Sequence, residues 1–122
     1  MTPTTTDATH ATITHHLDAV SRRDVDDVLR DYSPESVIFT PDGPLRGLDK
    51  VREFYRSFFA AVPASFMSEF ELLRQDVDGD VAYIVWRCGS FSPLGTDTFI
   101  VRDGKIHVQS YAVYMSCAAG RS

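Results

Sequence analysis

The stretch Gly95 to Tyr114, GTDTFIVRDGKIHVQSYAVY, decides how the rest of the chain is read. Two β-rich runs flank Asp103-Gly104, and an Asp-Gly pair between strands favours a two-residue type I′ turn. A regular turn sets Arg102 opposite Lys105, Val101 opposite Ile106, Phe99 opposite Val108 and Asp97 opposite Ser110. Cross-strand partners share a face. One face then carries Asp97, Phe99, Val101, Ile106, Val108, Ser110, Ala112 and Tyr114. The other carries Thr96, Thr98, Ile100, His107, Gln109, Tyr111 and Val113. The first face is apolar but for one carboxyl and one hydroxyl. A lone acid in such a wall is either tied up structurally or has a raised pKa and a chemical role.

Upstream of the hairpin, Val81 to Ser90 reads as a strand apolar on both faces, and Phe91 to Gly95 as a loop. Asp78-Gly79 is a turn, and Ser65 to Arg74 alternates, with Phe66, Phe70 and Leu72 opposed to Glu69 and Glu71. Before it comes a helix opened by Gly47 and stopped by Pro63, with Asp49 in its first turn. Its apolar stripe is Leu48, Val51, Tyr55, Phe58, Phe59 and Val62. Val37-Ile38-Phe39 is a short strand closed by the turn cluster Pro41-Asp42-Gly43-Pro44. Two earlier helices are expected, one from about Ala8 to Arg22 and a short one capped by Asp24 and ended by Ser33-Pro34. Ile13, Leu17 and Val20 recur at helical spacing in the first; His16 shares their stripe and His15 points the opposite way. The predicted organisation is a frayed end over 1–7, one domain over 8–117 and a tail over 118–122. Helices gathered ahead of an antiparallel meander mark the α+β class. The expected architecture is a curved antiparallel sheet with three helices over its concave face, enclosing a conical pocket.

The totals narrow the function. A chain of 122 residues, 43% hydrophobic and 24% charged, makes one globular domain rather than a disordered chain. A net charge of −5 argues against a nucleic-acid surface. No apolar run approaches the ~20 residues of a membrane-spanning helix. The N-terminus shows no basic segment followed by an apolar core, so no secretory leader is expected. Cys88 and Cys117 fit reduced thiols in the cytoplasm better than a disulfide framework. No zinc spacing, phosphate loop or nucleophile elbow is present in the sequence. The reading calls for no metal and no cofactor.

Several short motifs, in order, resemble the nuclear transport factor 2-like superfamily, particularly its ketosteroid isomerase and polyketide cyclase (SnoaL-like) branches. They are Arg23-Asp24-Val25, Tyr32-Ser33-Pro34-Glu35, Pro41-Asp42-Gly43-Pro44 with Gly47, Val51-Arg52-Glu53-Phe54-Tyr55, and Asp97-Thr98-Phe99 leading into Asp103-Gly104-Lys105-Ile106. The resemblance spans roughly Ala8 to Tyr114. It implies a cone-shaped fold, dimeric through the outer face of the sheet, with a ligand pocket inside. In the isomerase branch an aspartate after the first strand is the base, and a helix 1 tyrosine with a protonated late-strand aspartate forms an oxyanion hole. Carried over, the late-strand acid is Asp97, followed by Phe99. The helix 1 tyrosine position holds His16, and the base position holds Thr40 with Asp42 two residues on. Tyr55 matches a pocket tyrosine.

Each candidate has a plainer reading beside the chemical one. Asp97 is a proton donor to a substrate oxygen or a strand-end carboxylate bonded to its neighbours. His16 is a general acid or base, or a core-edge histidine. Asp42 is a displaced base or a turn residue. Tyr32 and Tyr55 offer hydroxyls to a ligand or are core residues with a polar tip. Trp86 lines the pocket or faces a partner subunit. Arg87 lies on the opposite face; turned inward, it would pair with Asp97 and keep that acid ionised. Thr40, Phe58, Phe99, Ser110 and Tyr114 complete the expected pocket lining. The leading hypothesis is a cofactor-independent isomerase or cyclase acting on a small apolar carbonyl compound, with His16 or Asp42 moving the proton and Asp97 holding the oxygen. The alternative is a non-catalytic ligand-binding or dimerisation module. Epoxide hydrolysis, which needs an Asp–Arg–Asp relay, ranks last. A small apolar ligand and a second copy of the chain are the expected partners, with no nucleic acid and no membrane.

Overall fold

In the computed structural model, which describes residues 4–89 and 91–114, the Asp103-Gly104 turn forms as the dipeptide predicts. Both residues have positive φ, 53° and 72°, the requirement of a type I′ turn. The strands it joins are β5 (Ser92–Arg102) and β6 (Lys105–Tyr114). Arg102 faces Lys105 and Val101 faces Ile106, but then the register slips by one residue. Ile100 pairs with Val108, Phe99 with Gln109, Thr98 with Ser110 and Asp97 with Tyr111. His107 is the extra residue of a bulge, and beyond a bulge every side chain changes face. Gln109, Tyr111 and Val113 therefore share a face with Asp97, while Val108, Ser110, Ala112 and Tyr114 turn to the other side. This corrects the regular register expected from the turn alone. Burial shows what the slip achieves: Ile106 and Gln109 are both sealed inside, at 0% and 3% exposure.

The remaining strands are β1 (Tyr32–Thr40), β2 (Gly43–Arg46), β3 (Phe70–Asp78) and β4 (Val81–Cys88). They complete one six-stranded sheet in the order β2-β1-β6-β5-β4-β3. Pairing is antiparallel except between β1 and β6, which run parallel. β1 is longer than its apolar triplet indicates and passes through Ser33-Pro34. Proline is tolerated there because the pairing with β6 is irregular between Tyr32 and Val37. The Pro41–Pro44 cluster does more than turn. It returns as edge strand β2, and Pro44 lies on that edge. Residues 64–66, expected to open a strand, form a 3₁₀ turn, Ala64–Phe66. β5 begins at Ser92, inside the expected loop.

Three helices lie over one face of this curved sheet: α1 (Thr5–Ser21), α2 (Val25–Leu29) and α3 (Leu48–Ala61). The threonine-rich start is not frayed from Thr4 onward. Thr4 and Asp7 form a reciprocal capping box. The Thr9 hydroxyl donates to the Gly79 carbonyl at 2.7 Å, and the Gly79 N–H donates to Thr6 Oγ1 at 2.9 Å. These bonds staple α1 to the β3–β4 turn. Asp24 caps α2 by accepting from the Asp27 N–H at 3.1 Å. Arg23 donates to the carbonyls of Phe59 and Pro63 at the end of α3 and lies 5.6 Å from the Phe59 ring centre. The core between the layers is built on Ile13, Val28, Ile38, Val51, Phe99 and Ile106, each at most 1% exposed. Cys117 and residues 118–122 lie outside the described residues.

Candidate active site

The layers do not close completely. A cavity of about 580 Å³ lies between α1, α3 and the inner face of the sheet. His16, Leu17 and Val20 come from α1; Phe54, Tyr55 and Phe58 from α3; Trp86, Asp97, Phe99, Gln109 and Tyr111 from the strands. Lys50, Glu53 and Ser57, the exposed members of the α3 wall, mark its rim. The walls are predominantly aromatic and aliphatic, with few polar groups converging on them, which is the usual composition of a small-molecule site.

Asp97 is the acid of this wall. Its Oδ1 accepts the Trp86 indole N–H at 2.9 Å, and its Oδ2 accepts the Gln109 amide N–H at 2.9 Å. Burial pushes the carboxyl above the ordinary range, and the two N–H donors pull it back in part. A carboxylate offers about four lone-pair sites, so these two bonds leave capacity for a third contact from the cavity. Arg87 is elsewhere: its guanidinium meets Glu71 at 2.9 Å on the opposite, exposed face of β4. The pairing that would have held Asp97 ionised is not made.

Behind Asp97 the network continues inward. Gln109 Oε1 accepts from the Tyr32 hydroxyl, and Tyr32 and Tyr55 hydroxyls are 2.9 Å apart. Both phenols are raised above their ordinary range, chiefly by burial. Tyr55 lines the cavity; Tyr32 does not, and serves the network from behind. His16 stands in the α1 wall at 3% exposure, edge-on to Tyr32, Tyr55 and Phe99 at 5.9, 6.0 and 5.5 Å between ring centres. Its Nδ1 is buried without a hydrogen-bond partner. Burial first, and then the charge of neighbouring His15, push its pKa down to about 3. The imidazole is therefore neutral at pH 7, able to donate or accept a hydrogen bond but a weak base.

Of the expected site residues, His16, Asp97, Tyr55, Phe58 and Phe99 converge on the cavity. Five do not line it. Asp42 is exposed in the β1–β2 turn, where its N–H donates to Thr40 Oγ1 at 3.0 Å. Thr40 in turn donates to the Gly43 carbonyl at 2.8 Å, so both belong to the turn. Ser110 and Tyr114 were carried to the other face by the bulge, and Tyr114 is 58% exposed. Tyr32 is buried behind the wall. In their place the structure brings in Trp86, Gln109 and Tyr111. Trp86 was legible as one of two alternatives; Gln109 and Tyr111 were assigned to the wrong face, and no residue type marks the bulge that moves them. His15 bonds Asp31 at 2.6 Å and Asp27 at 3.1 Å at the junction of α1, α2 and β1, away from the cavity. Among the described residues no group of three or more His, Cys, Asp or Glu side chains is placed to hold a metal ion.

With this geometry in view, the sequence matches the SnoaL-like domain family over residues 13–109. The chain belongs to the SnoaL-like domain family. No curated protein matches it. Its fold is shared with a SnoaL-like protein of unknown function from Burkholderia thailandensis, at 19% identity and a TM-score of 0.73 over 88% of this chain and 94% of that one. A provisionally named polyketide cyclase from Sinorhizobium meliloti aligns at 20% identity and TM-score 0.70, over 84% and 94%. A provisionally named ketosteroid isomerase from Kribbella flavida aligns at 16% and 0.74, over 93% and 82%. At these identities the likeness is one of fold: the SnoaL-like cone, closed by helices on one side. No described helix is long and apolar enough to cross a membrane.

Proposed function

We propose that this SnoaL-like chain is a cofactor-independent acid–base enzyme of the isomerase or cyclase type, acting on a small apolar carbonyl compound held in the cavity. The observation that carries the reading is one carboxyl, Asp97, set in an aromatic wall together with a neutral imidazole, His16. The roles first expected of the two are exchanged. His16, desolvated and neutral, is too weak a base; its Nε2–H tautomer instead donates to the substrate oxygen. Asp97 removes the proton from the carbon beside the carbonyl. The electron pair of that C–H bond moves into an enolate, whose oxygen His16 stabilises. In isomerisation the new Asp97 carboxylic acid returns the same proton at the far end of the conjugated system. In cyclisation the enolate carbon attacks a second carbonyl and the proton ends on the new alkoxide.

The test is turnover of β,γ-unsaturated ketones and short polyketide mimics, followed by the absorbance of the conjugated product. Asp97→Asn is expected to cost about 10²–10⁴-fold, and His16→Ala about 10²–10³-fold. Unchanged rates in both variants reject the enzyme. A second reading is supported by the same two N–H bonds: with both its oxygens engaged, Asp97 would serve a non-catalytic ligand-binding module. Saturable binding of the ketones without turnover decides for it. We further propose that two copies pair through the outer sheet face, where Phe39, Tyr83 and Tyr114 are exposed. A cytoplasmic location belongs to the same reading, supported by the buried, free Cys88; fractionation of the native host tests it.

A further inference from the structure

Gly95 lies in β5 directly opposite Trp86 in β4, two residues before Asp97 and on the same side of the strand. A Cβ placed on Gly95 would sit 2.7 Å from indole Cη2 and closer still to Cε2 and Cζ2. The indole is therefore laid flat across a bare backbone. It is backed by Phe70, whose ring centre is 5.5 Å away and tilted by 31°. From this position Nε1 reaches diagonally along β5 to Asp97 Oδ1, at 2.9 Å. The second carboxyl oxygen is held from the other neighbouring strand by Gln109 Nε2. On its other side Gln109 Oε1 receives the Tyr32 hydroxyl, an arrangement that uses the amide's acceptor and donor in opposite directions.

We propose that Gly95 is a positioning residue: it admits the Trp86 indole beside Asp97, so that Trp86 and Gln109 form a two-donor clamp that orients the carboxyl and stabilises its ionised form. This deepens the acid–base reading above and rests on it for its catalytic meaning. Both donors are N–H groups, which bond a carboxylate more strongly than a neutral acid. The other ionisable groups around Asp97 are His16 from α1, Tyr55 with Lys50 and Glu53 from α3 and Tyr111 from β6, all lining the cavity, and Tyr32 from β1 behind its wall. The imidazole and the buried phenols stay uncharged around neutrality. Lys50 and Glu53 sit at the rim and are left untouched by the substitutions below. The clamp is the part of the surroundings that discriminates between the two forms of Asp97 by hydrogen bonding.

The test reads the Asp97 carboxyl carbon by NMR as a function of pH, assigned by its disappearance in Asp97→Asn. Loss of one charge-assisted hydrogen bond tightens proton binding by about tenfold. Trp86→Phe is expected to move the Asp97 midpoint upward by that factor, and Gly95→Ala to move it in the same direction. In the double variant the Gly95→Ala effect is expected to vanish, since no indole N–H remains to displace and the smaller ring makes room for the methyl. Gly95→Ala shifting the midpoint equally in both backgrounds, or not at all, overturns the proposal. Should Gly95→Ala alone fail to fold, Trp86→Phe decides: an unmoved midpoint overturns the clamp. The carboxyl titration does not need turnover, so it stands even if the enzyme reading fails. If turnover is found, the acid limb of its pH profile moves up in step.

Discussion

Replacing His16 by phenylalanine is expected to flatten the acid destabilisation of this fold. In the folded chain the imidazole titrates at about 3, against 6.5 for the free side chain, because burial disfavours its charged form. Between those values the unfolded chain binds a proton that the folded chain refuses, so stability falls as pH falls. The contribution is fully present above pH 6.5 and is lost through the acid range. At 1.36 kcal/mol per pH unit, the span from 6.5 to about 3 bounds it at about 5 kcal/mol. From pH 7 to pH 5 the wild type loses about 2 kcal/mol through this residue alone. His16→Phe keeps the edge-on contacts with Tyr32, Tyr55 and Phe99 and loses the titration. It also removes the unpartnered Nδ1, a burial that costs roughly 1–3 kcal/mol, so its stability at pH 7 should equal or exceed that of the wild type. Urea unfolding of both proteins at pH 7, 6 and 5 gives the difference, in which the shared carboxylates cancel. Parallel stability curves, or an imidazole resonance titrating near 6.5 in the folded protein, would refute the reasoning.

Two further outcomes follow from the fold and its surface. Thr4→Ala removes one half of the capping box that starts α1 and is expected to cost about 1 kcal/mol, or roughly 4 °C in Tm; an unchanged melting curve shows that the box is idle. Tyr83→Lys places a charge on the outer sheet face and is expected to turn a dimer into a monomer in sedimentation velocity; a wild type that sediments as a monomer ends the dimer proposal.

Much of the architecture could be read from local signals. Asp103-Gly104 specified a type I′ turn because its two residues accept positive φ, and the structure has that turn. The 3.6-residue stripe through Val51, Tyr55 and Phe59 fixed the buried side of α3, and the same periodicity put His16 inward on α1. Local chemistry also proved ambiguous where a polar group had a distant partner. The threonines before Ala8 look like a loose end until the Gly79 turn arrives to bond Thr6, and with it Thr9 just beyond. Pro41–Pro44 looks like a turn until β1 offers its edge.

The sequence by itself determined the three helices, the α+β order, the closing hairpin and the presence of one acid on an apolar strand face. Those depend on turn chemistry and on periodicity within a few residues. Which side chains share that face with Asp97 was decided only when β6 was pressed between β5 and β1. The bulge at His107 lets Ile106 and Gln109 both enter the interior, and it costs the regular register that brought Ser110 and Tyr114 toward the site. A bulge is a compromise among three strands, and no pair of neighbouring residues encodes it. The fall of the His16 pKa has the same origin, because desolvation is a property of the closed cavity and not of the imidazole.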